Sequence, residues 1–217
     1  VEAEKEFKHS IELNPHYPIV RLWYSRFLRS RGRYDEAFVQ IKKGYEEDGL
    51  SLPISGNLAE MLMVQGDVNG AVEQNKKTLE IDPNYWAAHL GLAYGYLKLG
   101  RNAEALAQAQ KTTELLNGES LALFNLGYIQ AVLGNRAEAL SIVKKLEEKY
   151  VMHQASGSDV AAVYVGLGEK EKAFEWLEKD FRSHASSLVY IRLEIPFDSL
   201  RDDPRFKDLL KRMNLPE

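Results

Sequence analysis

The residue types that most often do chemistry in proteins are scattered along this chain. Its five histidines lack the spacing of a metal site on one helix, and they are His9, His16, His89, His153 and His184. The glutamate pairs at 46–47 and 147–148 lie in charged stretches that indicate solvated helix faces. No nucleophile-elbow motif and no phosphate-binding glycine loop accompanies the serines, histidines and aspartates. We therefore predict a non-enzymatic protein without metal or cofactor, in which each histidine has a surface or helix-capping role.

The composition is that of an ordinary folded protein and excludes several classes of site. The chain has 217 residues, a formal net charge of −4 and no cysteine, which rules out disulfides, thiolate metal sites and cysteine nucleophiles. The slight acidity argues against general nucleic-acid binding, and the longest weakly polar run, 121–134, is too short to span a bilayer. We expect no nucleic-acid partner, no membrane span and a cytoplasmic location. Because Val1 lies within a helical pattern, we also expect a fragment of a longer protein with a further domain upstream.

One constant interval of about 34 residues, such as that from Gly32 to Gly66, organises most of the sequence. Glycine recurs at this interval in Gly32, Gly66, Gly100, Gly134 and Gly168. Alanine recurs at the same interval in Ala37, Ala71, Ala105, Ala139 and Ala173. A period of this length indicates a stacked array of supersecondary units rather than one globular core.

The residue pattern within each unit predicts two amphipathic helices that pack closely where they cross. If the recurring alanine is counted as position 20 of the unit, position 8 is always small and positions 7 and 21 are always apolar. Small residues at both crossing points let the helix axes approach, and the apolar neighbours fill the flanks. The glycine at position 15 is predicted to end the first helix in a left-handed conformation. Pro15 and Pro83, both at position 32, are predicted to end second helices.

These positions resemble the tetratricopeptide repeat family, most clearly in GRYDEA at 32–37 and in the segment 78–100. The family's unit is about 34 residues long, which agrees with the interval between the glycines. The resemblance implies an all-α, right-handed α-solenoid of stacked helix-turn-helix repeats. The predicted boundaries are a half repeat at 1–17 and full repeats at 18–51, 52–85, 86–119, 120–153 and 154–187. Two departures concern packing: other residues replace the family's tryptophan at position 4, and Asn75 occupies a site that is usually apolar.

The segment 188–217 breaks the register and is predicted to be a C-terminal cap. Pro196 would fall inside a first helix of a further repeat. Asp203 and Pro204 predict the start of a separate capping helix, which would cover the apolar face of the last repeat. The stretch 160–215 also resembles the tail of bacterial multidomain proteins with TolB-like and tetratricopeptide regions, which implies a bacterial signalling context.

The family resemblance also implies a binding groove lined by positions 2, 5, 9, 12 and 13 of each first helix. Helical geometry agrees, because side chains with these spacings lie on one stripe of a helix. The predicted groove residues are Leu22, Arg26, Arg29, Glu60, Met63, Leu90, Tyr94, Leu97, Lys98, Phe124 and Tyr128. We expect a peptide or a segment of another protein as the partner in this groove, which would make the chain a binding scaffold.

Two groups of these groove residues have alternative interpretations. Tyr94 and Tyr128, one repeat interval apart, are predicted to form an aromatic ladder that anchors a peptide; the alternative is that both pack on their neighbours. The five arginines of 21–33 favour a solvated or carboxylate-pairing face over a nucleic-acid site, because the aromatic residues among them are needed for packing. A carboxylate clamp of the chaperone-binding type is not predicted, because position 9 is never asparagine.

Self-association is the second hypothesis for the function. Residues 1–14 are predicted to form the second helix of a half repeat that has no first helix of its own. This helix would stack on another copy of the chain and produce a homo-oligomer.

Overall fold

The computed structural model describes residues 2–215 and contains only helices there, so the all-α class is confirmed. The α-helices are α1 (Glu2–Leu13), α2 (Pro18–Ser30), α3 (Tyr34–Glu47), α4 (Leu52–Val64), α5 (Val68–Ile81), α6 (Trp86–Lys98), α7 (Asn102–Leu115), α8 (Ser120–Val132), α9 (Arg136–Val151), α10 (Gly157–Gly166), α11 (Lys170–Arg182) and α12 (Pro204–Arg212). Two 3₁₀ helices, Ser186–Tyr190 and Ile195–Leu200, lie between α11 and α12.

Helices α2 to α11 form pairs that repeat the interval found in the sequence. The first helices α2, α4, α6 and α8 begin at this interval, at Pro18, Leu52, Trp86 and Ser120. The second helices follow the same interval, at Tyr34, Val68, Asn102, Arg136 and Lys170. Helix α10 is the exception, because it begins at Gly157, three residues later than the interval requires. Each pair lies inside one of the predicted repeats, whose boundaries and right-handed superhelix stay predictions.

The chain divides into two compact units, with the boundary inside α7. In the first unit, which ends at Gln108, α2 packs on α3 and α4 packs on α5, while α3 contacts α4 and α5 contacts α6. In the second unit, which begins at Ala109, α8 packs on α9, and α10 packs on α8, on α11 and on the second 3₁₀ helix. Within each unit a helix therefore contacts its own partner and the next pair, as in stacked repeats.

The turn between paired helices is built in the same way in all five pairs. Its glycines, Gly32, Gly66, Gly100, Gly134 and Gly168, have φ between 72° and 85°. This left-handed conformation costs glycine little, and it confirms the predicted end of the first helix. The residue after each glycine donates its backbone N–H to a carbonyl in the last turn of that helix, for example Arg33 to Leu28 at 3.0 Å.

The recurring alanines lie at the interface between the paired helices. Ala37, Ala71, Ala105, Ala139 and Ala173 are each 0% exposed. The small residue at position 8 of the first helix is also buried, as in Ser25 and Ala59. In the fourth pair this residue is Gly127, where a Cβ atom would lie 2.9 Å from Cγ2 of Ile142 in α9. The close approach of the two helices explains why both positions are small.

In the first three pairs, a hydrogen bond between the two helices replaces the family's tryptophan at position 4. The position-4 residue contacts a glutamine 19 residues later: Arg21 Nη1 donates to Gln40 Oε1 at 3.2 Å, Gln74 Nε2 donates to Ser55 Oγ at 2.7 Å, and His89 Nδ1 lies 2.6 Å from Gln108 Oε1. In the fourth pair the same two positions hold Leu123 and Ile142, which belong to the hydrophobic core. Both positions therefore change from polar to apolar together between repeats.

Asn75, the polar residue at a usually apolar site, is buried, and its side chain makes a hydrogen bond within its own helix. Its Nδ2 donates to the carbonyl of Ala71, one turn earlier in α5, at 3.0 Å. The side chain fits because it faces Gly91 of α6, where a Cβ atom would lie 2.5 Å from the same nitrogen. The departure from the family pattern is thus accommodated by a second small residue.

The segment after α11 keeps more of the register than its sequence predicts. Helix α12 begins at Pro204, one repeat interval after α11 begins at Lys170. Ion pairs join Glu171 to Arg205 and Glu178 to Arg212, so α12 lies beside α11 and runs in the same direction. The prediction that the segment leaves the repeat register is therefore wrong for the start of α12. It agrees with the part before α12, where two 3₁₀ helices stand in place of a regular first helix.

The buried face of α12 and the 3₁₀ helices belong to the core of the second unit. Leu188, Ile191, Phe197, Leu200 and Phe206 are in one hydrophobic cluster with the buried residues of α10 and α11. The predicted N-cap is confirmed, because Asp203 accepts the backbone N–H of Arg205 at 3.0 Å. The apolar surface of the last helix pair is therefore in contact with the C-terminal segment.

Three carboxyl groups lie near the start of α10. Asp180 is buried and accepts the backbone N–H of Gly157 at 2.7 Å, which caps the helix. Asp159 forms a capping box with the N-cap serine of the same helix. Glu194 lies at the N-cap of the second 3₁₀ helix, and its pKa is raised to about 7 by burial and by the carboxylate of Asp159. The folded chain therefore favours the neutral form of Glu194.

The helix crossing predicts the effect of enlarging one alanine. Ala105→Leu is expected to destabilise the protein by about 1–3 kcal/mol, because the larger side chain must enter a packed interface. Ala103→Leu, at an exposed position of the same helix, is the matched control and should change the free energy of unfolding by less than about 0.5 kcal/mol. Urea denaturation followed by circular dichroism measures both variants. Equal midpoints for the two would contradict the assigned interface.

The partly buried carboxyl group of Glu194 predicts a pH dependence of stability. The folded chain keeps this proton up to about pH 7, whereas the unfolded chain loses it near pH 4.5. Folding therefore takes up a proton between these values, and the stability present below pH 4.5 is lost as the pH rises through 7. Glu194→Gln should exceed the unmodified protein in stability by up to about 3 kcal/mol at pH 8 and match it at pH 4. Thermal melts measure the difference, and parallel pH profiles would refute the assignment.

Candidate functional site

The predicted groove residues of the first unit come from three first helices that lie side by side. Helix α4 contacts both α2 and α6, so the groove stripes of these helices form one surface, which we call the groove face. Its accessible predicted residues are Arg26, Arg29, Glu60, Met63, Leu90, Leu97 and Lys98. Arg26, Glu60 and Lys98 are exposed, and the others are partly buried. The groove face therefore combines charges of both signs with apolar side chains.

An ion pair between Arg29 and Glu60 connects α2 to α4 across the groove face. The carboxylate of Glu60 also accepts a hydrogen bond from Nδ2 of Asn57 at 3.4 Å. Asn57 Oδ1 in turn accepts a hydrogen bond from the buried hydroxyl of Ser25 at 3.3 Å. This chain of polar contacts fixes the two helices relative to each other, and it pairs the exposed carboxylate of Glu60 with Arg29.

Arg26 lies on the same face and is held by an aromatic ring instead of a carboxylate. Its guanidinium carbon is 5.1 Å from the centroid of the Trp23 ring, within the range of a cation–π contact. Trp23 is itself 51% exposed, which is unusual for so large an apolar side chain. Arg26 and Trp23 therefore present a flat, positively charged and partly apolar surface to solvent.

Tyr85 is a residue of the groove face that the sequence pattern did not identify. It precedes α6 as its N-cap residue, and its ring reaches back over α4. A Cβ atom on Gly56 would lie 3.7 Å from Cε1 and 3.9 Å from the hydroxyl oxygen of Tyr85. Burial raises the pKa of Tyr85, while the positive charge of Arg26 acts in the opposite direction. The sequence signal was available in principle, because Gly56 is a groove position without a side chain and Tyr85 ends the same repeat.

Three predicted groove residues do not line an open groove. Leu22 is 2% exposed, Phe124 is 4% exposed and Tyr94 is 6% exposed. Leu22 belongs to the core that α2, α3 and α4 share, and Phe124 belongs to the core of the second unit. Both occupy position 5, which faces the neighbouring first helix as well as the groove. Their predicted exposure is corrected, and for Tyr94 the burial favours the packing alternative.

Tyr128 is the predicted groove residue of the second unit that keeps partial exposure. Its Cδ2 atom would lie 3.0 Å from a Cβ atom on Gly166 of α10, so its ring packs against that helix. Burial raises the pKa of Tyr128, and the nearby carboxylate of Asp198 in the second 3₁₀ helix raises it further. Tyr128 is thus close to the C-terminal segment. The ladder with Tyr94 would join the two units and stays a prediction.

The histidines fall into two groups. His9, His16, His153 and His184 are exposed, and the last two have positive φ at the ends of helices, as the predicted surface and capping roles require. His89 differs from the prediction because it is buried, with Nε2 2.9 Å from the carbonyl of Pro83. Across residues 2–215 no three histidines, aspartates or glutamates are grouped so that they could hold a metal ion. In the same part of the chain, no helix combines the length and apolar character needed to cross a membrane.

Comparisons with known proteins agree with the fold. A family model described as a tetratricopeptide repeat matches residues 90–150. Among solved structures, TTC0263, a thermophilic TPR protein in Thermus thermophilus, is 21% identical, with a TM-score of 0.64 and coverage of 81% of this chain and 96% of that chain. YrrB, described as a TPR protein with an unusual peptide-binding site, is 22% identical, with a TM-score of 0.53 and coverage of 86% of this chain and 96% of that chain. PilW, a type IV pilus biogenesis factor, is 16% identical, with a TM-score of 0.65 and coverage of 89% and 90%.

No curated protein matches the chain in sequence. The structural similarities at these identities show the shared fold, and the sequence match of residues 90–150 covers the middle of the array. Both agree with the constant interval that the helices repeat from α2 to α9. Residues 90–150 therefore match the tetratricopeptide repeat family in sequence, and the described chain shares the fold of solved tetratricopeptide repeat proteins.

Proposed function

We propose that this chain is a non-enzymatic scaffold that binds a peptide or a segment of another protein on its groove face. The observation that carries the proposal is the arrangement of Arg26, Trp23 and Tyr85 beside the Arg29–Glu60 ion pair. Charged and aromatic side chains are held there in fixed positions while part of their surface stays exposed. Aromatic and arginine side chains in this situation are the usual anchors of protein–protein interfaces.

The rigidity of the helix pairs supports this proposal physically. The alanine interfaces and the polar chain from Ser25 to Glu60 fix the first helices before any partner arrives. A surface that is already ordered loses less conformational entropy on binding than a flexible one. An extended or helical segment lying across α2, α4 and α6 would then contact side chains from three repeats at once.

The proposal extends to the biological context of the chain. A similar structure, YrrB, is described as having a peptide-binding site, and the family resemblance implies the same kind of ligand. The resemblance of residues 160–215 to the tails of bacterial TolB-like and tetratricopeptide proteins supports a role in a larger bacterial regulator. We accordingly propose a cytoplasmic regulatory protein in which this array recruits the partner.

Site-specific photo-crosslinking in the source cells tests the groove face directly. A photoreactive phenylalanine is placed at Met63 or at Lys98, both accessible on the groove face and outside the anchor residues, and at Lys42 on the outer helix α3 as the exposed control. We expect covalent adducts with a second protein from positions 63 and 98 and none from position 42. Mass spectrometry of the adducts identifies the partner.

The same experiment distinguishes the outcomes that contradict the proposal. Adducts that form equally from position 42 would mean that the groove face is not the binding surface. Adducts that contain only this chain would favour the self-association hypothesis. Irradiated cells without adducts from any position would refute the binding role of this surface.

Self-association through α1 is the second candidate function, and one observation favours it. No residue of α1 in the described part of the chain is fully buried, and Leu13 at its end is 73% exposed. A second copy could cover this helix by stacking against it. Light scattering over a concentration series tests the idea: a dimer that Leu13→Ser dissociates would support it, and a monomer at all concentrations would exclude it.

A further inference from the structure

We propose that Trp23, Arg26 and Tyr85 form an anchor site for a carboxylate on an acidic segment of the partner protein, with the ring of Tyr85 resting over Gly56. This inference rests on the proposed function, and it adds the chemical class of the ligand. All four residues belong to the first unit, and they come from α2, from α4 and from the N-cap of α6.

The charge of Arg26 is the first argument for an acidic ligand. On and next to α2, Arg21 pairs with Glu47, Arg29 with Glu60, and Arg33 with Glu4 and Glu36. Arg26 has no carboxylate within 4.0 Å among the described residues, so its positive charge is not neutralised by the protein. A guanidinium in this state is complementary to a carboxylate, which it can bind with two parallel hydrogen bonds.

Trp23 prepares the guanidinium for this contact. The guanidinium carbon of Arg26 lies over the Trp23 ring, 5.1 Å from its centroid. This contact leaves the N–H donors of the guanidinium available to a ligand. The remaining exposed surface of the ring is apolar and can receive the side chain next to the acidic residue. The preferred ligand therefore has an acidic residue beside a large apolar one.

Tyr85 and Gly56 complete the site on the side of α4. The hydroxyl of Tyr85 makes no hydrogen bond within residues 2–215, although its side chain is partly buried. Burial raises the pKa of this phenol, so it keeps its proton at neutral pH and can donate to a carboxylate. Because Gly56 has no side chain, the ring of Tyr85 can lie over α4 next to the helix backbone, which places its hydroxyl on the groove face.

The balance of charges on the groove face favours a carboxylate over a nucleic acid. Binding to a phosphate backbone draws on several cations that act together. Here Arg29 is paired with Glu60, which leaves Arg26 and the more distant Lys98 as the cations available to a ligand. A single acidic side chain matches one guanidinium and one hydroxyl, whereas a polyanion would meet the carboxylate of Glu60.

The test compares two small peptides on the intact chain. The probes are a fluorescent pentapeptide of alternating leucine and glutamate, with blocked ends, and the same peptide with glutamine in place of glutamate. At low salt we expect the glutamate peptide to bind about tenfold more tightly, as a charged hydrogen-bonded contact provides. Arg26→Gln should remove this difference, and so should Gly56→Gln, because its longer side chain displaces the ring of Tyr85. The preference should weaken as salt is added, because the contact is partly exposed.

Arg31→Gln is the matched control, since Arg31 also stacks on an aromatic ring, Phe27, and ends the same helix. It should leave the preference for glutamate unchanged. Circular dichroism checks that Arg26→Gln and Gly56→Gln are folded, and the second substitution is tolerable because a Cβ at position 56 meets Tyr85 only at ordinary contact distance.

Several outcomes would overturn the inference. Equal binding of both peptides, absence of binding, or a preference that survives Arg26→Gln would each refute the anchor site. Competition by inorganic phosphate or by single-stranded DNA at lower concentrations than by the glutamate peptide would assign the site to phosphate groups instead. None of these results decides the proposed function, because crosslinks from positions 63 and 98 to a partner report on the groove face whatever the charge of the ligand.

Discussion

The close approach of the two helices in each pair is the constraint on which the rest of the structure depends. With fully buried alanines on the second helix and small residues facing them, the backbones come near enough for short side chains to meet elsewhere along the interface. That is why Ser55 and Gln74 reach each other at 2.7 Å, where the family has a tryptophan. It also places the opposite stripe of each first helix on a surface, so the same interface that stabilises the repeat creates the groove face.

The elements of the fold could be predicted because each one has a local signal. The recurring glycines predicted the turns correctly, because few residues other than glycine adopt the left-handed conformation that the turns require. Asp203 and Pro204 predicted the start of α12 correctly, but its agreement with the repeat register was missed for a physical reason. Lys207 occupies the position of the packing alanine and is exposed, whereas Phe206, one residue earlier, is buried. The helix keeps the spacing of the repeat and turns a different face to the core, and a comparison of residue types at fixed positions cannot detect this rotation.

The exposure of the groove residues was harder to predict. The position of a residue on a helical stripe gives the direction of its side chain and not how deeply that side chain is buried. Leu22 and Arg26 lie on the same stripe, yet Leu22 is buried between helices and Arg26 is exposed. The difference in exposure depends on how near the adjacent first helix lies. That distance is set by tertiary packing and cannot be obtained from the helical period. Tyr85 was missed for the complementary reason, since it precedes the helix and its ring crosses to α4. Side chains from connecting segments do not follow the periodicity that identifies a helix face.

In the proposed anchor site, the arginines of α2 would divide between stability and recognition. Arg29 and Glu60 are paired within the protein, so a ligand that used either charge would first have to break that pair and desolvate its partner. Arg26 lies over the ring of Trp23, a cation–π contact that does not occupy its hydrogen-bond donors. A ligand can therefore use the charge of Arg26 without disrupting the contact between α2 and α4. Separating the two tasks between neighbouring arginines allows the scaffold to stay rigid while the groove face keeps a charge that only a partner can neutralise.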